Sequence, residues 1–158
     1  MKKFTIKFII SFFFLILSVI SACQKDDICT AGTTPDLQIK FFAYNDTVEK
    51  PVDTLYVIVL PLQDTIINGS NDMINLSLAL NVNADTTNFV LSSVHNNDTI
   101  TFRYIRERIF VSKACGYKIN FHDLNVDLQQ DNDNWIKQID ILNHDIITDT
   151  VVHVKIYH

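Results

Sequence analysis

Apolar residues recur at every second position in several short stretches of the chain. Leu37, Ile39 and Phe41 alternate with Gln38 and Lys40, and Leu55 to Leu60 form a short continuous apolar run. Ile74, Leu76, Leu78, Leu80 and Val82 alternate with Asn75, Ser77, Ala79 and Asn81. Ile100, Phe102 and Tyr104 follow the same rule, as do Val152, Val154 and Ile156 with His153, Lys155 and Tyr157 on the other parity. A period of two puts one set of side chains on a core face and the other toward solvent, which predicts strands. Ile109, Val111, Cys115, Tyr117, Ile119 and Phe121 share odd parity, broken at Lys113. They predict one continuous strand over 108–122, bulged at Gly116, with Cys115 aimed inward. Residues 123–134 read as a loop, and no segment holds a helical period over a helix's length. Short strands between Asn/Asp clusters predict an all-β fold. The expected form is an antiparallel β-sandwich, Ig-like in general architecture, with about seven to nine strands.

The amino terminus reads as an address. Lys2 and Lys3 precede a 13-residue run, Phe8 to Ile20, whose polar members are Ser11 and Ser18. A basic start and a short apolar core before small residues make a secretory signal peptide. The run is short for a bilayer span, which takes about 20 residues. Ile20-Ser21-Ala22-Cys23 resembles the lipobox of bacterial lipoproteins, which implies cleavage after residue 22 and acylation of Cys23. Gln24-Lys25-Asp26-Asp27 resembles the acidic export signal of Bacteroidota surface lipoproteins. The expected organisation is a signal peptide (1–22), a lipidated cysteine with its tether (23–28) and a single sandwich domain (29–158). The expected location is the outer membrane at the cell surface, with the periplasmic face as the alternative.

Cleavage changes the charge. Loss of residues 1–22 leaves 10 basic and 18 acidic residues, a net charge of −8. A domain so acidic is repelled by nucleic acid and by an anionic membrane face, so it is expected to stand off on its tether. Glycines at 32, 69 and 116 provide no Gly-rich phosphate loop. Asn and Asp supply 30 of the residues after position 22 and serve the turns, since their side chains bond local backbone and tolerate left-handed geometry.

With Cys23 given to lipid, Cys29 and Cys115 remain. Two cysteines in an exported domain suggest one disulfide, with free buried thiols as the alternative. A ring of 87 residues would gain ~4–5 kcal/mol in the chain-entropy picture. Cys29-Thr30, Thr34-Pro35, Phe110-Val111-Ser112-Lys113-Ala114-Cys115-Gly116-Tyr117, Asn134-Trp135-Ile136 and His153-Val154-Lys155-Ile156 are the landmarks of this region. They resemble a family of small Bacteroidota lipoproteins, the domain of unknown function numbered 6452. The resemblance implies a lipid-anchored envelope protein, carries over no catalytic residue, and fits a Cys29–Cys115 pairing.

Candidate chemistry is sparse. Histidines at 95, 122, 144, 153 and 158 read as surface residues; His153 and His158, five apart on one strand, face opposite sides and share no metal. Ser112 lacks a nucleophile-elbow pattern, and the only glutamates are Glu49 and Glu107. Asp131 and Asp133 lack the spacing of a calcium loop and read as a solvated turn. Arg103, Arg106, Arg108, Lys113 and Lys118 concentrate half of the mature basic residues in 16 positions. They read as a polar hairpin face with Glu107 at its turn, or as a docking patch for an acidic protein or anionic glycan. Asp-Thr before Val, Leu, Ile or Thr occurs six times, at Thr47, Thr54, Thr65, Thr86, Thr99 and Thr150. These triplets resemble O-glycosylation sites of exported Bacteroidota proteins, with at least two expected to be modified; they also suit a turn that opens a strand. The expected function is a non-catalytic binding or scaffold module without cofactor or metal. The alternative is an envelope hydrolase built from dispersed Asp and His.

Overall fold

The computed structural model describes residues 29, 32–94 and 96–158. The chain divides into two units, 1–30 and 31–158, and every element below belongs to the second. Its strands are β1 (Leu37–Phe42), β2 (Leu55–Leu60), β3 (Asp64–Ser70), β4 (Asn75–Leu78), β5 (Thr86–Ser92), β6 (Asn97–Ser112), β7 (Gly116–Leu128), β8 (Gln138–Ile141) and β9 (Val154–Tyr157). There is no helix among the described residues. One sheet has the order β4-β1-β9-β8, the other β3-β2-β5-β6-β7.

The alternation read from the sequence explains the core. Leu37, Ile39 and Phe41 of β1, Leu76 and Leu78 of β4, and Val154 and Ile156 of β9 face Leu55, Val57, Phe89, Leu91, Ile100 and Phe102 in one buried cluster. Each such side chain contributes roughly 1.5–3 kcal/mol on burial. The two-sheet, nine-stranded sandwich is the architecture expected. One pairing departs from it: β1 and β9 run parallel, with Ile39 opposite Val154 and Phe41 opposite Ile156. Alternation marks which face a residue takes and carries no information about strand direction.

That seam is closed by a histidine. His153 is fully buried. Its backbone N–H donates to the Gln38 carbonyl at 2.9 Å, and its Nδ1 accepts from the Gln38 N–H at 3.0 Å. The surface placement expected for His153 is therefore wrong. It lies one residue before β9, where the chain leaves the pleat and its parity stops applying.

The long strand expected over 108–122 is instead the end of β6, a turn at 113–115 and the start of β7. Phe110 lies opposite Tyr117 and Ile109 opposite Lys118, so Ile109 and Tyr117 occupy opposite faces despite their common parity. Gly116 closes the turn with φ +71°, and a Cβ there would meet open space, so its need is conformational. Cys115 is consequently half-exposed in a turn, where the Ser112 hydroxyl accepts its N–H at 3.0 Å. Residues 123–128, expected in a loop, belong to β7. An extra residue bulges β7 between its pairings to Arg103 and Ile105, beside Asp123 with φ 52°. The bulge switches the inward parity from Phe121 to Leu124, which hides the strand from a single-period reading. The true loop, 129–137, is pinned to the core: buried Asp98 accepts the Ile136 N–H at 2.7 Å and the Asn134 side-chain amide at 3.2 Å.

Candidate functional site

The β6–β7 pair outgrows the sandwich. β5 pairs with β6 as far as Arg103; beyond that point β7 is the strand laddered to β6. From Ile105 to Tyr117 the ribbon consists of β6 and β7 laddered to each other, and its apolar residues fall on both faces. Ile105, Phe110 and Tyr117 are 59%, 57% and 55% exposed. Phe110 and Tyr117 form an edge-to-face pair, centroids 5.3 Å apart, and the Arg108 guanidinium lies 4.0 Å over the Tyr117 ring. One ribbon face thus presents Arg108, Phe110 and Tyr117 together, a combination favoured at binding hot spots.

The five basic residues divide by position. Arg103 pairs with Asp127, and Arg106 with Asp85 at 2.6 Å and the Val82 carbonyl at 2.9 Å. The first ties β6 to β7 at the ribbon's base, and the second holds that base to the segment ahead of β5. Arg108, Lys113 and Lys118 lie further out, with no ion pair among the described residues. Glu107, expected at the hairpin turn, is in mid-strand because the turn comes six residues later. Its carboxylate reaches His122 Nε2 at 3.1 Å, while Asp145 reaches Nδ1 at 2.9 Å. Hydrogen bonding to Asp145 first, and to Glu107 second, raises the pKa of His122 above its ordinary value. Both ring nitrogens face carboxylates, so His122, when protonated, clamps β6, β7 and the segment whose Ile146 bridges to Phe121. Sequence reading missed this triad because its members are 15 and 23 residues apart.

The other candidates scatter. Cys23 and His95 lie outside the described residues. Cys29 and Cys115 are both disulfide-bonded, and the third cysteine of the chain is Cys23. Thr47, Thr65, Thr86 and Thr150 are exposed, while Thr54 and Thr99 are half-buried. Thr54 immediately precedes β2, and Thr65, Thr86 and Thr99 lie within the first residues of β3, β5 and β6, as the turn-to-strand reading requires. Asp131 accepts the Asp133 N–H at 2.9 Å in a local turn, and no metal-binding group of three or more His, Cys, Asp or Glu exists among the described residues. A cleft of about 340 Å³ lined by Lys50, Val94, Trp135 and His158 opens elsewhere. There the Trp135 indole N–H is committed to the Leu91 carbonyl at 3.1 Å.

The fold therefore defines an all-β sandwich carrying an extended, cationic β-ribbon. The chain belongs to a family of unknown function, DUF6452, which it matches over residues 54–158, the stretch that contains β2 to β9. No curated protein and no solved structure matches it.

Proposed function

We propose that the protein is a lipid-anchored module of the bacterial outer membrane, of the Bacteroidota type and exposed at the cell surface, that acts by binding rather than by catalysis. Cys23 is the acylated residue, and the two disulfide-bonded cysteines, Cys29 and Cys115, are joined to each other. The observation that carries the binding reading is the ribbon, where Phe110 and Tyr117 stay exposed beside Arg108. Large apolar groups left side by side in water, as the paired Phe110 and Tyr117 rings are, favour a contact surface. The exposed threonines of the Asp-Thr triplets are available for O-glycosylation, which intact-mass measurement of Thr47- and Thr65-containing peptides tests.

The anchor is tested by Cys23→Ser. That change is expected to abolish acylation and leave precursor or soluble protein. A variant that still fractionates with the outer membrane refutes the anchor. Binding is tested by cross-linking intact cells and asking whether recovered partners contact the ribbon or the sheet faces.

A further inference from the structure

We infer that the ribbon tip docks on the anionic headgroups of the membrane to which the protein is tethered, so that the domain stands on its ribbon. The inference rests on the proposed anchor at Cys23 and names the surface that the ribbon meets.

Charge is segregated along the chain. Residues 29–158 contain 9 basic and 16 acidic residues, yet 108–121 contain Arg108, Lys113 and Lys118 and no acidic residue. The body is therefore repelled by an anionic surface while the tip is drawn to it, an orienting field that acts within a Debye length of about 8 Å. The tip also carries the interfacial residue types. Phe110 and Tyr117 are more than half exposed, and aromatic rings partition to the headgroup level, flanked by Lys and Arg.

Connectivity supplies the proximity. Cys115 is in the tip turn and is disulfide-bonded, as is Cys29. The segment ahead of β1 follows the ribbon's flank, where Thr34 Oγ1 accepts the Ile119 N–H at 3.0 Å. With Cys29 joined to Cys115, six residue steps separate an acylated Cys23 from the tip, at most ~20 Å when extended.

The test uses the full chain, mixed with excess vesicles of phosphatidylcholine alone or with roughly 30% phosphatidylglycerol added to make the surface anionic. Amide hydrogen exchange of residues 108–118 reads the tip, and intact mass reads acylation of Cys23 separately. Expected is several-fold slower exchange at the tip in anionic vesicles only, reversed by high salt. A variant carrying Arg108→Gln, Lys113→Gln and Lys118→Gln should lose this protection, with anionic-surface affinity lower by roughly a hundredfold at about fivefold per cation. Equal tip exchange in both vesicles overturns the inference, as does protection that survives the triple substitution. Tip protection produced by envelope protein but not by lipid also overturns it. Absence of acyl mass on Cys23 refutes the anchor, whereas the comparison of the two vesicles still judges the tip, because its cations act without the acyl chain.

Discussion

Within β6, Ile100, Phe102 and Tyr104 are at most 4% exposed, and Phe110, on the same face of the same strand, is 57% exposed. Between them the same face carries Arg106 and Arg108, so its apolar run ends at Tyr104 and resumes as a single ring. What changes is the neighbour: the first three belong to the buried cluster between the sheets, while Phe110 stays outside it and pairs with the exposed Tyr117 ring. Alternation is thus a property of the pleat, and burial is a property of whatever lies opposite. Body and ribbon share strand chemistry and differ in what their apolar face is for.

The contrast is broken most directly by paired truncations. Phe102→Ala, in a site where the ring meets Phe89 edge-on at 6.2 Å, should cost ~3–5 kcal/mol by the usual toll of a core cavity. Phe110→Ala should stay within about 0.5 kcal/mol, as exposed substitutions do. Urea unfolding of both measures the difference, and equal losses would make the ribbon part of the core. Next in size is the bridge. Cys115→Ala and Cys29→Ala should each lose ~2–5 kcal/mol, and the double variant little more, since one shared bond is lost. Additive losses would show that the two cysteines are not partners. Asp98→Ala should cost about 1–3 kcal/mol by stranding the Ile136 N–H and the Asn134 amide, with hydrogen exchange rising first in 129–137.

The smallest effect distinguishes the two regions by sign. Burial holds the pKa of His153 below 6.5; its Nε2 has no well-formed partner, and the Thr148 backbone only partly offsets the burial. The unfolded chain takes up that proton near 6.5 and the folded chain resists, so stability falls as pH drops below 6.5 toward the lowered folded value. His122 behaves oppositely, its pKa being raised by Asp145 and Glu107. Its contribution is complete below about 6.5 and disappears as pH rises through the raised folded value. Imidazole titrations by NMR should place the two midpoints on either side of 6.5. His122→Gln should flatten the loss of stability on the alkaline side and leave the acid arm, which belongs to the body.

The strands that form the hydrophobic centre were legible because burial on one face enforces parity: Leu37, Ile39 and Phe41 announce β1, and Ile100 and Phe102 announce β6. In β5, Thr87, Phe89 and Leu91 carry the same signal, diluted by a polar member that a purely apolar count passes over. The edge strand β3 was missed because its residues are mostly exposed and leave no alternation to read. β8 offers just Ile139 and Ile141, neither fully buried, with no alternating residues beyond its ends to extend the signal as there are for β4 and β9. The ribbon misled because its three-residue turn and shifted pairing line up parities that belong to opposite faces. The basic cluster was visible, but its division into body-pairing and outlying members depends on Asp85 and Asp127, neighbours fixed by the fold alone.

The parallel seam between β1 and β9 bears on the order in which the molecule is assembled. Gln38 and His153, which close it, are 115 residues apart, whereas the ribbon closes across three. Hairpins of that kind form on a microsecond scale, while distant pairings wait on the entropy of closing a long loop. A chain released gradually from one end can therefore complete its ribbon and the β2–β5–β6 ladder early. It cannot finish the four-stranded sheet until its final strand emerges, because β9 is what separates β1 from β8. Until then β1 and β4 have an open edge, and the inner face of the larger sheet lacks its full cover. A chain interrupted before β9 is consequently an unfinished sandwich with an adhesive strand edge, not a smaller version of the same domain.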